Sequence, residues 1–171
     1  MIERPRGYAH RIDIAADPAV VWRALTEQEQ LVRWCSPSAQ IRPRQGGVFR
    51  ASVDRVTELE AHIDVFEPGR RMRLIYLPSI ALPPAESAIV DDLILDSSEF
   101  ETGRFRMTPP VAGQGETGRF PAGRPGTILR LLGSGIPATP EWNAQYQRMR
   151  LGWQQAMARL KVFVEKQLVN E

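Results

Sequence analysis

TPEWNAQYQRMRLGWQQAMARLKVFVEKQL, residues 139–168, decides how the rest of the chain has to fold. Thr139-Pro140 caps and opens a helix, because proline at the first helical position lacks only an N–H that would go unpaired anyway. No further proline follows, so the helix runs to about residue 168, about 28 residues and roughly 42 Å at 1.5 Å of rise each. Trp142, Tyr146, Met149, Trp153, Met157 with Ala156, Leu160, Val164 and Leu168 recur at spacings of three and four, an unbroken apolar stripe. Gln147, Arg148, Arg159, Lys161, Glu165 and Lys166 fall outside that stripe. A rod of this length needs an equally long apolar surface to lie on.

The upstream chain supplies one. Residues 9–15 alternate, with His10, Ile12 and Ile14 on one face and Arg11 and Asp13 on the other, which predicts a strand. Asp17-Pro18 then starts a helix, aspartate as N-cap and proline next. Thr26-Glu27-Gln28-Glu29 has the spacing of a capping box and predicts a second short helix, which Ser36-Pro37 ends. Strands are expected at 48–53, 59–66, 72–77, 89–95 and 127–132, with turns at Gln45-Gly46-Gly47, Glu67-Pro68-Gly69 and Gly133-Ser134-Gly135. Pro78-Ser79-Ile80-Ala81-Leu82-Pro83-Pro84 is a loop rich in apolar residues. Residues 102–125 are punctuated by glycine and proline and hold a short duplication, Glu101-Thr102-Gly103-Arg104-Phe105 and Glu116-Thr117-Gly118-Arg119-Phe120. A loop of that length is either a lid or a tolerated insertion.

Strands joined in series by short turns pair as an antiparallel meander, and the apolar face of such a sheet must be covered. The expected fold is therefore α+β: a curved antiparallel sheet of about six to seven strands around one long C-terminal helix, with two short helices after the first strand. A chain of 171 residues is expected to make one domain, 1–171, with an insertion at about 102–124. A straight helix does not fill a curled trough along its whole length, so a gap between them is expected.

Composition narrows the function classes. Hydrophobic residues make up 43% and charged residues 25%, ordinary globular values. The single cysteine, Cys35, has no internal partner, and the two histidines, His10 and His62, are too few for a Cys/His metal cluster. No apolar run approaches the ~20 residues needed to span a bilayer, and no signal-peptide core stands at the start; a cytoplasmic location is expected. Net charge is +2 and pI about 9.0, but the arginines scatter between acids rather than cluster, which argues against a nucleic-acid surface. Neither a catalytic triad nor a nucleotide-binding glycine motif is present, so no catalytic residue, metal or cofactor is assigned.

The chain resembles the START-like helix-grip superfamily, in particular the branch similar to the C-terminal domain of the Hsp90 ATPase activator. Asp17-Pro18-Ala19-Val20-Val21-Trp22-Arg23-Ala24-Leu25-Thr26 resembles that family's first helix, and Leu31-Val32-Arg33-Trp34 its second. Gln45-Gly46-Gly47-Val48-Phe49-Arg50 is similar to its glycine turn and strand. Gly126-Thr127-Ile128-Leu129-Arg130-Leu131 resembles its last strand, and Gly152-Trp153 with Leu160-Lys161 its closing helix. The resemblance implies a helix-grip fold; members range from lipid carriers and hormone receptors to cyclases.

The candidate ligand-binding residues are Trp34, Cys35, Phe49, His62, Tyr76, Trp142, Tyr146, Met149 and Trp153; Trp34 and Cys35 are included because the resemblance implies that their region borders the cavity. Gly152 costs about 1 kcal/mol in a helix interior relative to alanine, so a close approach of sheet or ligand is expected there. Cys35 reads as a small hydrophobe, Arg33 being its only local cation. His62 shares a face with Glu60, Asp64 and Phe66; inward it is a polar anchor, and its acidic neighbours favour outward. Asp91 and Asp92 point to opposite faces, so one enters the trough, with Arg130 as its expected partner. Three functions compete: binding of a small apolar molecule as carrier or sensor, a cyclase, aromatase or hydratase using pocket acids and bases, and a chaperone-interaction module exposing an apolar patch. A homodimer contact through loop 78–84 or the insertion is a further reading.

Overall fold

The structure is a computed structural model describing residues 3–97 and 126–170. The insertion expected at 102–124, with its duplicated segment, lies outside the described residues. In chain order the elements are β1 (Arg6–Ile14), α1 (Pro18–Thr26), α2 (Gln28–Trp34), β2 (Gln40–Ile41), β3 (Val48–Ala51), β4 (Leu59–Glu67), β5 (Arg71–Tyr76), β6 (Val90–Asp96) and β7 (Thr127–Ile136). A single 3-10 turn (Pro140–Trp142) then leads into the long helix α3 (Asn143–Val169). The seven strands form one antiparallel sheet in the order β1-β7-β6-β5-β4-β3-β2. This is the α+β architecture read from the pattern, and the helix-grip arrangement that the resemblance implies.

Strand alternation puts Phe49, Ala61, Ile63, Met72, Leu74, Leu93 and Leu131 on the inner face, all nearly inaccessible. Against them lie Trp142, Met149, Trp153, Ala156, Met157, Leu160 and Val164 of the helical stripe. Each large side chain so buried stabilises the fold by about 1.5–3 kcal/mol. The outer sheet face is laced with ion pairs: Arg71 with Asp92 at 2.7 Å, Arg73 with Asp64 at 2.5 Å and Arg130 with Asp96 at 2.6 Å.

α3 is held along β1 by side chains that reach main-chain atoms. Tyr146 Oη donates to Gly7 O at 2.9 Å, His10 Nε2 to Arg150 O at 2.8 Å, and Lys161 Nζ to Asp13 O at 2.5 Å. The Ala15 amide donates to Glu165 Oε1 at 2.9 Å.

Three local readings are corrected. Thr26 does not begin a capping box. It is the last residue of α1, and its hydroxyl donates back to Trp22 O at 2.7 Å, leaving as N-cap Glu27, whose side chain accepts from Gln30 Nε2 at 2.6 Å rather than from a helix amide. Gly133-Ser134-Gly135 is not a turn but the continuation of β7 as far as Ile136. β2, unforeseen, is only two residues long; the Gln28 side chain secures it, donating to Ala39 O and accepting from the Ile41 amide at 2.9 Å.

Candidate functional site

One carboxylate stands beneath the middle of α3. β6 alternates so that Asp91 points inward and is fully buried, while Asp92 points out to Arg71. Asp91 accepts three hydrogen bonds from three elements: Tyr8 Oη of β1 at 2.5 Å, Tyr76 Oη of β5 at 2.6 Å and Trp153 Nε1 of α3 at 2.7 Å. A glycine makes this reach possible. Gly133 pairs with Tyr8 on one side and Asp91 on the other, and a Cβ at 133 would occupy the space of the Tyr8 ring. The tyrosine therefore lies across β7 to meet the aspartate, a close approach that glycine inside a strand permits.

The expected partner of the buried aspartate, Arg130, is engaged on the outer face with Asp96 instead. Neutral donors take its place, and burial pushes the Asp91 carboxyl up to about 6 against the downward pull of its bonds to Tyr76, Tyr8 and Trp153. Burial, followed by the charge of Asp91, drives both tyrosine hydroxyls well above their ordinary value. The three donors and the acceptor satisfy one another, as a buried polar group requires.

The opening lies further along, at the start of the helix. A pocket of about 580 Å3 is walled by Tyr76 at the end of β5, by Ile89, by Leu82, Pro83 and Pro84 of the loop between β5 and β6, and by Trp142. Trp142 Nε1 donates to Pro84 O at 3.0 Å, which ties the proline-rich loop to the helix entrance. Tyr76 joins the two regions: its ring walls the pocket and its hydroxyl binds Asp91.

The other candidate residues separate. Phe49 and Met149 are ordinary inner-face core. Trp34 is buried, its Nε1 donating to Ala24 O at 2.7 Å. Cys35 is fully buried, and burial pushes its thiol up to about 12 despite the nearby charges of Arg159 and Arg55, which makes it unreactive. Tyr146 is half-buried at the β1 edge, with the Arg6 guanidinium 4.7 Å from its ring centre. His62 sits on the outer face, correcting its place among trough residues: its neighbours Ala61 and Ile63 take the inward positions. Tyr8 was missed because its strand is expected to begin only at residue 9. The glycine inside β7 was the signal that could have found it.

Among the described residues no group of three His, Cys, Asp or Glu could hold a metal ion. Nor is any described helix long and apolar enough to cross a membrane.

A family model described as Activator of Hsp90 ATPase homolog 1-like protein matches residues 15–115. No curated protein matches the chain. Among solved structures, a protein from Mesorhizobium loti is similar over 94% of this chain and 98% of its own, at 20% identity and a TM-score of 0.65. An HSP90 activator from Plasmodium falciparum is similar over 93% of this chain and 96% of its own, at 14% identity and a TM-score of 0.62. The Aha1 dimer from Colwellia psychrerythraea is similar over 92% of this chain and 98% of its own, at 14% identity and a TM-score of 0.59. At these identities the likeness is one of fold.

Proposed function

We propose, for a chain that belongs to the family of Activator of Hsp90 ATPase homolog 1-like proteins, that it binds a small apolar molecule as a carrier or sensor. The site is the pocket between Trp142, Tyr76 and the loop 77–89. The observation that carries this reading is the pocket itself: about 580 Å3 of space lined largely by apolar side chains at the helix entrance. Binding there would use the apolar walls for affinity and the few nearby polar atoms for orientation. An acid–base role for Asp91 has less support, because its oxygens already accept from Tyr8, Tyr76 and Trp153.

The family description favours a second reading, contact with an Hsp90-type chaperone. The two readings separate by experiment. Native mass spectrometry of protein purified from its own host, followed by a thermal-shift screen of apolar compounds, tests the first. A co-purifying small molecule, or a stabilising compound whose effect is lost in Leu82→Glu, supports the carrier reading. A clean apo mass with no stabilising compound, together with stimulation of a host Hsp90 ATPase, replaces it with the chaperone reading.

A further inference from the structure

A second concavity, of about 460 Å3, lies between the end of α2, the turn 52–57 and the C-terminal half of α3, and it shares no lining residue with the pocket at Trp142. Its construction begins at Gly152. A Cβ there would stand 3.2 Å from Val53 Cγ2 and 3.3 Å from Asp54 Cβ, so the missing side chain lets the turn lie against the helix. Asp54 fixes the turn by accepting from the amides of Val56 and Thr57, both at 2.8 Å, and from Ser52 Oγ at 3.0 Å. Arg55, at its tip, holds φ at +64°, a left-handed conformation that non-glycine residues adopt at a cost and that recurs at functional sites. Arg159 bridges the two walls, Nε donating to Trp34 O and Nη2 to Val53 O, each at 3.0 Å. The Arg33 guanidinium lies 5.2 Å from the centre of the Phe163 ring.

Arg33, Arg55, Arg159 and Lys166 thus line one groove, and no carboxylate lines it with them. None of the four sits within ion-pair distance of an acid among the described residues, as is also true of Arg4, Arg6, Arg23, Arg42, Arg44, Arg148 and Arg150; the groove brings four such cations together in one concavity. Partial burial, followed by the charge of Arg55, lowers the proton affinity of Arg159, as expected of like charges held together without a counter-ion. Between the cations the floor is apolar: Trp34, Val162 and Phe163.

We infer that this groove is a binding site for a small amphiphilic oxyanion, a phosphate or carboxylate head on a flat apolar body. The head lies between Arg55 and Arg159 and the body rests on Phe163 and Val162. Guanidinium groups suit such heads because their planar fork of donors matches the oxygens. The apolar floor distinguishes this chemistry from indifferent adsorption of anions.

The test is titration of the whole chain with phenyl phosphate, inorganic phosphate and benzoate, read by amide chemical shifts at Arg55, Ala158 and Val162. Expected is saturable binding of phenyl phosphate that exceeds that of inorganic phosphate, with benzoate in the same place and all binding weakened by salt. Arg55→Gly should weaken phenyl phosphate binding about tenfold, the loss of one charge-assisted contact. Because glycine accepts the left-handed conformation freely, that variant should melt no lower than the parent, so a loss of binding is not a loss of fold. Lys166→Ala should weaken binding in the same direction. Absence of shifts, shifts that persist in Arg55→Gly and Lys166→Ala together, or inorganic phosphate binding as tightly as phenyl phosphate would each overturn the inference.

Discussion

Trp142 and Trp153 lie on the same stripe, about 16 Å apart along the helix direction, yet their surroundings differ in kind. At Trp153 the indole meets Asp91 directly, Tyr8 and Tyr76 close in from β1 and β5, and almost no accessible surface is left. At Trp142 the indole is buried too, but its N–H goes to a loop carbonyl, and beyond it stands a pocket of about 580 Å3. Sheet curl alone predicts a gap between rod and sheet without fixing its place. The contrast locates it where β5 and β6 have ended and a thirteen-residue connection (77–89) has replaced them. Space in this fold follows the length of a connection, and a buried polar knot closes the trough where the strands are long.

The strongest way to break that contrast is Asp91→Ala. It strands three buried donors at once and should destabilise the protein by about 3–5 kcal/mol in urea unfolding, while Asp91→Asn, which keeps an acceptor oxygen, should cost less. A loss below about 1 kcal/mol would mean that the knot does not hold the middle closed. Acidity probes the same group more gently. The folded-state value of about 6 lies above the unfolded value of 3.8. The stability it contributes is therefore fully present below about pH 4 and is lost as pH rises through 6, by about 2–3 kcal/mol. Asp54 and Asp64, whose values are lowered, act in the opposite sense at still lower pH. Subtracting the pH–stability curve of Asp91→Asn from that of the parent isolates the Asp91 contribution, and a flat difference between pH 4 and 7 refutes it.

At the entrance the order of effects should reverse. Leu82→Ala removes part of a half-buried wall and should cost about 1 kcal/mol or less of stability, yet weaken any ligand found by screening about tenfold. Equal ligand affinity in the two proteins would place the site elsewhere. The smallest effect is expected at His62→Ala, on the outer face: stability within about 0.5 kcal/mol of the parent and ligand affinity unchanged. A clear loss of affinity there would contradict its outward position.

Much of this was written in the pattern of the chain. The stripe from Trp142 to Val164 fixed the helix and its buried side, and Asp17-Pro18 fixed the start of α1, whose aspartate accepts from the Ala19 amide at 2.9 Å. Local periodicity carries such information because each side chain's direction follows from its position in one element. Gly152 was also legible as a close approach, although the approaching segment proved to be the turn at Val53 and Asp54. What periodicity does not carry is partnership across strands. The neutral donors around Asp91 depend on a register in which Tyr8, Gly133 and Asp91 stand in one row, and the chain separates the first from the last by 83 residues. Trp142 and Tyr76 were among the residues expected near a ligand, and both wall the pocket. Leu82 was not, because a loop side chain shows its direction only once the loop is closed. β2 was invisible for a related reason, since two residues carry no period and the strand exists through the reach of Gln28.

The ties between α3 and β1 bear on how copies of this protein could meet. Gly7 O and Asp13 O receive Tyr146 and Lys161, and the Ala15 amide is taken by Glu165. Near both ends of β1, main-chain groups that a foreign strand would use to extend the sheet are thus already engaged by side chains of α3. On the far flank β2 offers only two residues of template. Among the described residues, both borders of the sheet therefore offer a foreign strand only an interrupted or very short template.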